Sequence, residues 1–141
     1  MDRRTFLTVS TAALTVPGAA LALTGRSAEP QEVLEALGRG ETVFVDFYTD
    51  WCTTCRAQER AVNALKKANP AYEQAMTFLS IDWDQHAGSD LSKALNIPRR
   101  STLVVIRLQA DQTFLMDRIV AGTRKSEIKA LLDKGLEFAG V

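Results

Sequence analysis

Two rhythms of apolar residues run along this chain. Dense apolar runs at Val43–Tyr48, Thr77–Ile81 and Thr102–Leu108, rich in β-branched and aromatic residues, read as buried strands. Between them the apolar positions thin to a spacing of three and four, the period of a helix with one buried face. Val33, Leu34 and Leu37 give such a face to a helix opened by Pro30 and ended by Gly38 and Gly40. Arg56–Ala68 contains no Gly or Pro, carries Ala57, Ala61, Ala64, Leu65 and Ala68 at helical spacing, and stops at Asn69–Pro70. Ala71–Ala75 adds a helical turn, and Ser89 is placed to cap a short helix through Leu91, Ala94 and Leu95. Ala110–Gln112 turns the chain so that Thr113–Val120 returns antiparallel to the strand before it. Gly122 breaks that strand and Thr123 caps a last helix, whose buried stripe is Ile128, Leu131, Leu132 and Leu136. The predicted order is α, β, α, β, α, β, β, α. Early alternation followed by a hairpin and a helix predicts an α/β fold, a central mixed sheet flanked by helices on both faces.

Residues 1–22 follow neither rhythm. Arg3–Arg4 is followed by Thr5–Phe6–Leu7, a stretch of Ala, Leu, Val, Thr and Ser, and then Ala20–Leu21–Ala22. A positive start, an apolar middle and small residues before a cut after Ala22 form the order of a bacterial export signal. The paired arginines ahead of Phe6–Leu7 resemble a twin-arginine signal, whose middle is only mildly apolar. Here Thr8, Ser10, Thr11, Thr15, Pro17 and Gly18 dilute it. An uncleaved anchor is the competing reading, but it requires roughly 18 consecutive apolar residues. Residues 23–29 then form a short polar linker, and 30–141 form a single domain.

Composition narrows the chemistry. The 141 residues are 46% hydrophobic and carry zero formal net charge with no block of like charge, which gives no electrostatic case for nucleic acid. Only two cysteines occur, Cys52 and Cys55. A disulfide-stapled scaffold has more, at wider spacing, and a zinc site takes about four Cys or His ligands where only His86 is left to join the pair. No metal site and no nicotinamide, flavin or haem motif is expected.

The chemistry concentrates in VFVDFYTDWCTTC, Val43–Cys55. A C-x-x-C where a strand hands over to a helix puts the first sulfur at the helix N-terminus. Unpaired N–H groups and the positive end of the dipole there favour thiolate over thiol. The second sulfur lies one turn on, close enough to close a disulfide. The pair reads as a dithiol that is repeatedly oxidised and reduced; ordinary buried thiols or a static bond are the competing readings. Asp50 reads as a solvated turn acid, His86 as a loop residue, and Met76, Met116 and Phe114 as core or hairpin residues.

This combination resembles the thioredoxin family over roughly Pro30–Phe138. DFYTDWCTTC looks like the family signature, with Trp51 directly before the first cysteine, Asp46 six residues before it, and Gly122 at the glycine that follows the hairpin. The WC-x-x-C context and the export signal most resemble periplasmic reductants such as the C-terminal domain of the DsbD relay. The resemblance implies that Cys52 is the nucleophile, that Cys55 resolves the mixed disulfide, and that a buried Asp46 is the proton acceptor for Cys55. It makes Trp51 one wall beside the reactive sulfur. Thr53 and Thr54 replace the family's usual dipeptide and leave the redox poise open within about −270 to −120 mV.

One departure stands out. Aligning Thr102–Ile106 with the family strand puts Ser101 where an active-site cis-proline belongs, and Pro98 falls three residues too early. A cis bond before a non-proline costs about 2.5–4 kcal/mol, so Arg100–Ser101 is expected to be trans. Ser101 then offers a hydroxyl and an extra backbone N–H toward the sulfurs, and Arg99 and Arg100 place positive charge beside the dithiol, with two solvated loop arginines as the competing reading. The expected activity is thiol–disulfide exchange as a periplasmic reductant. Its partners would be disulfide-bearing periplasmic proteins, with a membrane relay of the DsbD or CcdA type as electron donor. An oxidase or isomerase on the same scaffold is the first alternative; a non-catalytic binding module or a copper carrier is the second.

Overall fold

A strand is buried along its whole length only when both faces of its sheet are covered. Strand β2 (Thr42–Tyr48) is buried at all 7 positions, and the rest of the fold explains how. The computed structural model describes residues 23–141; the export-signal reading falls on residues outside this range. Around β2 the chain forms β1 (Arg26–Ser27), β3 (Met76–Asp82), β4 (Thr102–Leu108) and β5 (Phe114–Val120) in the sheet order β1-β3-β2-β4-β5. β1 and β2 both pair parallel to β3, while β4 is antiparallel to β2 and β5 to β4. The helices are α1 (Pro30–Gly38), α2 (Thr53–Ala68), α3 (Ala71–Ala75), α4 (Trp83–His86), α5 (Asp90–Ala94) and α6 (Lys125–Phe138). Among the described residues no helix is long and apolar enough to cross a membrane.

The alternation of a strand sends successive side chains to opposite faces. Val43, Val45 and Phe47 join Val33, Leu37, Leu91 and Leu95 in a core on the α1/α5 face. Phe44 joins Val62, Leu65, Tyr72, Ile128 and Leu132 in a second core under α2, α3 and α6. Asp46 has the parity of Phe44, so the acid lies on the face that α2 covers.

Four sequence expectations change. Residues 23–29 are not a free linker: β1 pairs with β3, Arg26 opposite Leu79 and Ser27 opposite Ser80. A Cβ on Gly25 would stand 2.2 Å from the Phe78 carbonyl oxygen, so only glycine lets the segment lie this close. The polar stretch around His86 contains α4, capped by Asp82, which accepts from the Asp84 N–H at 2.9 Å. Thr123 does not cap α6. The helix starts one residue later with Arg124 at the N-cap, and the Arg124–Glu127 ion pair (3.6 Å) spans its first turn. The buried face of α2 is Cys55, Gln58, Glu59, Val62 and Leu65 rather than its alanine row. Burial of the first sulfur-bearing turn rotates the helix so that two polar residues face inward.

Candidate active site

β2 ends one turn before the motif, and α2 begins inside it. Cys52 is the N-cap residue of α2 (φ −88°, ψ 114°), and its Sγ accepts from the Cys55 N–H at 3.2 Å. A sulfur thus occupies the place where a helix usually holds a serine or aspartate oxygen, facing the orphan donors and the positive end of the dipole. Both cysteines are free and buried. Burial alone would push the Cys52 thiol up. Hydrogen bonds from the Cys55 thiol, the Ser101 hydroxyl and the Cys55 N–H, joined by the Arg100 guanidinium, outweigh it and bring Cys52 down to about 7. Cys55 goes the other way, to about 11, because of burial and its pairing with the Cys52 sulfur, with Ser101 and the Thr49 main chain opposing.

Ser101 stands between the two sulfurs. Its Oγ is 3.1 Å from Cys52 Sγ and 3.0 Å from Cys55 Sγ. The residue is fully buried with φ +62°, a left-handed conformation rare outside glycine. Three hydrogen bonds hold it there. Its N–H donates to the Phe47 carbonyl (2.8 Å), and its own carbonyl accepts from the Ala121 N–H (2.8 Å) and from Gln58 Nε2 (2.9 Å). Gln58 also donates to the Gly122 carbonyl at 3.0 Å, tying the loop before β4 to the loop after β5. No cis peptide occurs among the described residues, so Arg100–Ser101 is trans.

Beneath the dithiol is a polar floor. Asp46 is fully buried; Thr24 Oγ1 donates to its Oδ2 at 3.1 Å, and Oδ1 has no partner. Ser80, opposite Asp46 on β3, lies 3.3 Å from the Thr24 hydroxyl. Burial, then the nearby Glu59 carboxyl, push Asp46 up to about 8 against the Thr24 hydrogen bond, with Cys52 adding to the rise. Glu59 is itself raised, chiefly by burial. The acid is therefore protonated at neutral pH. Leu23 packs beside Tyr48, Cys52 and Cys55.

The outer wall has a different character. Trp51 is 60% exposed, donates through Nε1 to Asp84 Oδ2 at 2.8 Å, and lies under the Arg100 guanidinium, whose Cζ is 4.3 Å from its ring centroid. Thr53 is exposed and Thr54 half-buried; neither hydroxyl is among the hydrogen-bond partners found for the sulfurs. Arg99 donates through Nε to the Arg100 carbonyl at 3.1 Å. His86 lies away from the site, paired with Glu29 at 3.1 Å. Among the described residues no three His, Cys, Asp or Glu side chains converge as a metal site needs.

The sequence model of the thioredoxin family matches residues 27–134, and the fold and the dithiol at the mouth of α2 agree with it. The chain belongs to the thioredoxin family. Solved thioredoxin structures share its fold. Trxlp of Edwardsiella tarda is 23% identical, covering 75% of this chain and 96% of its own, with a TM-score of 0.61. The thioredoxin of Malassezia sympodialis is 17% identical over 79% of this chain and 92% of its own, with a TM-score of 0.63. That of Plasmodium falciparum is 24% identical over 77% and 97%, with a TM-score of 0.58. No curated protein matches the chain.

As a thioredoxin-family protein with a C-x-x-C pair, the chain is a thiol–disulfide oxidoreductase. Sequence reading alone missed three site residues. Gln58 and Glu59 follow Cys55 by three and four positions, the spacing that places residues on one helix face, and that was the available signal. Thr24 carried no signal, because its role depends on the segment ahead of β1 lying beside Ser80 and Asp46 in the fold.

Proposed function

We propose that the protein is an exported periplasmic reductant, closest in kind to the C-terminal domain of DsbD-type relays, that reduces disulfides in periplasmic proteins through Cys52 and Cys55. The observation that carries the direction is the Cys52 thiolate held near pKa 7. A strong oxidant owes its power to a heavily stabilised reduced form, with the nucleophile near about 3.5; a reductant keeps it near about 7. The Cys55 thiol, Ser101, Arg100 and the helix mouth together outweigh burial but stop at about 7, which favours the reductant over an oxidase or isomerase. Export rests on Arg3–Arg4, the diluted apolar stretch and Ala20–Leu21–Ala22. The donor would be a membrane relay of the DsbD or CcdA type, which would return the Cys52–Cys55 disulfide to the dithiol by exchange with a dithiol of its own. Trp51, Thr53, Thr54, Arg100 and Ser101 would contact the substrate, Arg100 and Trp51 from the outer wall.

A redox titration against glutathione tests this. A potential near about −270 mV is expected, and one near about −120 mV makes the protein an oxidant. Fractionation of cells expressing the full chain should find it in the periplasm, and an Arg3→Lys, Arg4→Lys variant should leave it in the cytoplasm; periplasmic protein from that variant rules out the twin-arginine route.

A further inference from the structure

We propose that Gln58 is a positioning residue for the exchange reaction, its side-chain amide anchoring Ser101 to α2 so that the Ser101 hydroxyl stays on the sulfur of Cys52. This rests on the exchange chemistry assigned to the Cys52/Cys55 pair.

Gln58 is fully buried on α2. The groups that face its amide are two main-chain carbonyls, of Ser101 at 2.9 Å and of Gly122 at 3.0 Å, so its N–H groups point at them. Its Oε1 is buried and has no partner. An apolar side chain of the same length would fill the space without stranding an acceptor, so packing does not account for an amide here. What the amide supplies is a pair of donors.

One of their targets needs holding. Ser101 is at φ +62°, which is unfavourable for a residue with a Cβ. Its main-chain bonds to Phe47 on β2 and to Ala121 just after β5 fix it to the sheet. Gln58 fixes it to α2, the helix that carries the sulfurs. Cys55 and Gln58, three positions apart, share one face of that helix, so a single turn sets the spacing between sulfur and amide. Ser101 thus meets α2 and its cap at two ends: its carbonyl on Gln58, and its Oγ at 3.1 Å from Cys52 Sγ and 3.0 Å from Cys55 Sγ. A thiolate has no proton to give, so with Cys52 ionised the hydroxyl donates to it and accepts from the Cys55 thiol. Gln58 acts on the sulfurs through Ser101, by keeping that donor in reach.

Alkylation of Cys52 by iodoacetamide across pH reads the consequence. Gln58→Met keeps the length of the side chain and removes both donors. Its Cys52 midpoint should rise by about 0.5–1 pH unit, a loss of roughly 3- to 10-fold in rate below both midpoints. Well above both midpoints the variant should react at least as fast as the unaltered protein, because its thiolate is then fully formed and more basic. Gln58→Leu, equally without donors, should behave alike and covers a Met variant that fails to fold. Ser101→Gly suits the positive φ, lacks the hydroxyl, and should raise the midpoint at least as far. Adding Gln58→Met to Ser101→Gly should move it by less than about 0.3 pH unit, since the amide then holds no donor on the sulfur. A larger added shift overturns the proposal. So does a rise below about 0.3 pH unit in the folded Gln58 single variants, or slowing by one factor at every pH, the mark of general damage to the site. If the unaltered protein reduces no insulin disulfide with dithiothreitol as reductant, it is the exchange reading that fails, and the alkylation profiles still decide whether Gln58 holds Ser101.

Discussion

The outer wall and the inner floor of the site lie on either side of two cysteines only three residues apart, and they treat them differently. On the wall side Cys52 meets the Ser101 hydroxyl, the Arg100 guanidinium and the first N–H groups of α2, and its thiol falls to about 7. Toward the floor Cys55 is more deeply buried, and its thiol rises to about 11. The floor itself is acid: burial raises Asp46, and raises Glu59 against the opposing pull of Arg56 and Arg60. The contrast shows that the order of reaction comes from surroundings rather than residue type. The sulfur that attacks is about half ionised near neutral pH, and the one that resolves keeps its proton until it is needed.

The contrast breaks most completely when one sulfur is removed. Cys55→Ser should leave Cys52 reactive and trap the mixed disulfide, visible by mass spectrometry as a stable adduct with a disulfide substrate, with catalytic turnover lost. Cys52→Ser should give no adduct at all. An adduct in the second variant would reverse the assignment of nucleophile and resolver.

Next in size is the floor. Below the unfolded carboxyl value of about 3.9, Asp46 carries a proton in both states. Between there and about 8 only the folded state keeps it, so stability falls as pH rises through that window and the full penalty stands above it. Asp46→Asn should therefore be more stable than the unaltered protein. Its advantage should grow by on the order of 1.4 kcal/mol per pH unit from about pH 4 to pH 8. Urea unfolding across that range checks it; parallel curves would mean that Asp46 is ionised as freely in the fold as out of it.

Thr24→Val tests the hydroxyl that reaches the floor from the segment ahead of β1. Loss of that donor should destabilise the protein by about 1 kcal/mol and push the Asp46 carboxyl further up, extending the upper end of the steep part of the stability–pH curve to higher pH. The smallest effect is expected on the wall. Arg100→Ala removes a cation from Cys52 and from the exposed Trp51 ring. The midpoint of the Cys52 iodoacetamide profile should move up from about 7 by the equivalent of about 0.5–1 kcal/mol. An unchanged midpoint would leave thiolate stabilisation to Ser101 and the helix alone.

Much of this could be read along the chain because it is local. The apolar runs at Val43–Tyr48 and Thr102–Leu108, the Gly- and Pro-free stretch after Cys55 and the strand-to-helix position of C-x-x-C each depend on neighbours a few residues apart. They correspond to β2, β4, α2 and the Cys52 N-cap. The errors came where a distant segment decided the outcome. Residues 23–29 look like a polar linker until β3 offers an edge to pair with. Thr123 is the local exception, an error of one residue, since Arg124 takes the N-cap instead.

The sequence by itself determined the alternation of strands and helices, the dithiol spacing and the placement of an acid on the α2 face of the central strand, because backbone periodicity links all three over short distances. Only the tertiary structure decided that Ser101, 49 residues beyond Cys52, stands between both sulfurs. It also decided that Gln58 clamps the loop holding Ser101, and that Thr24 reaches Asp46 across the sheet. Those contacts join segments far apart in the chain, and their geometry is set by how the sheet orders its strands, which no local pattern records.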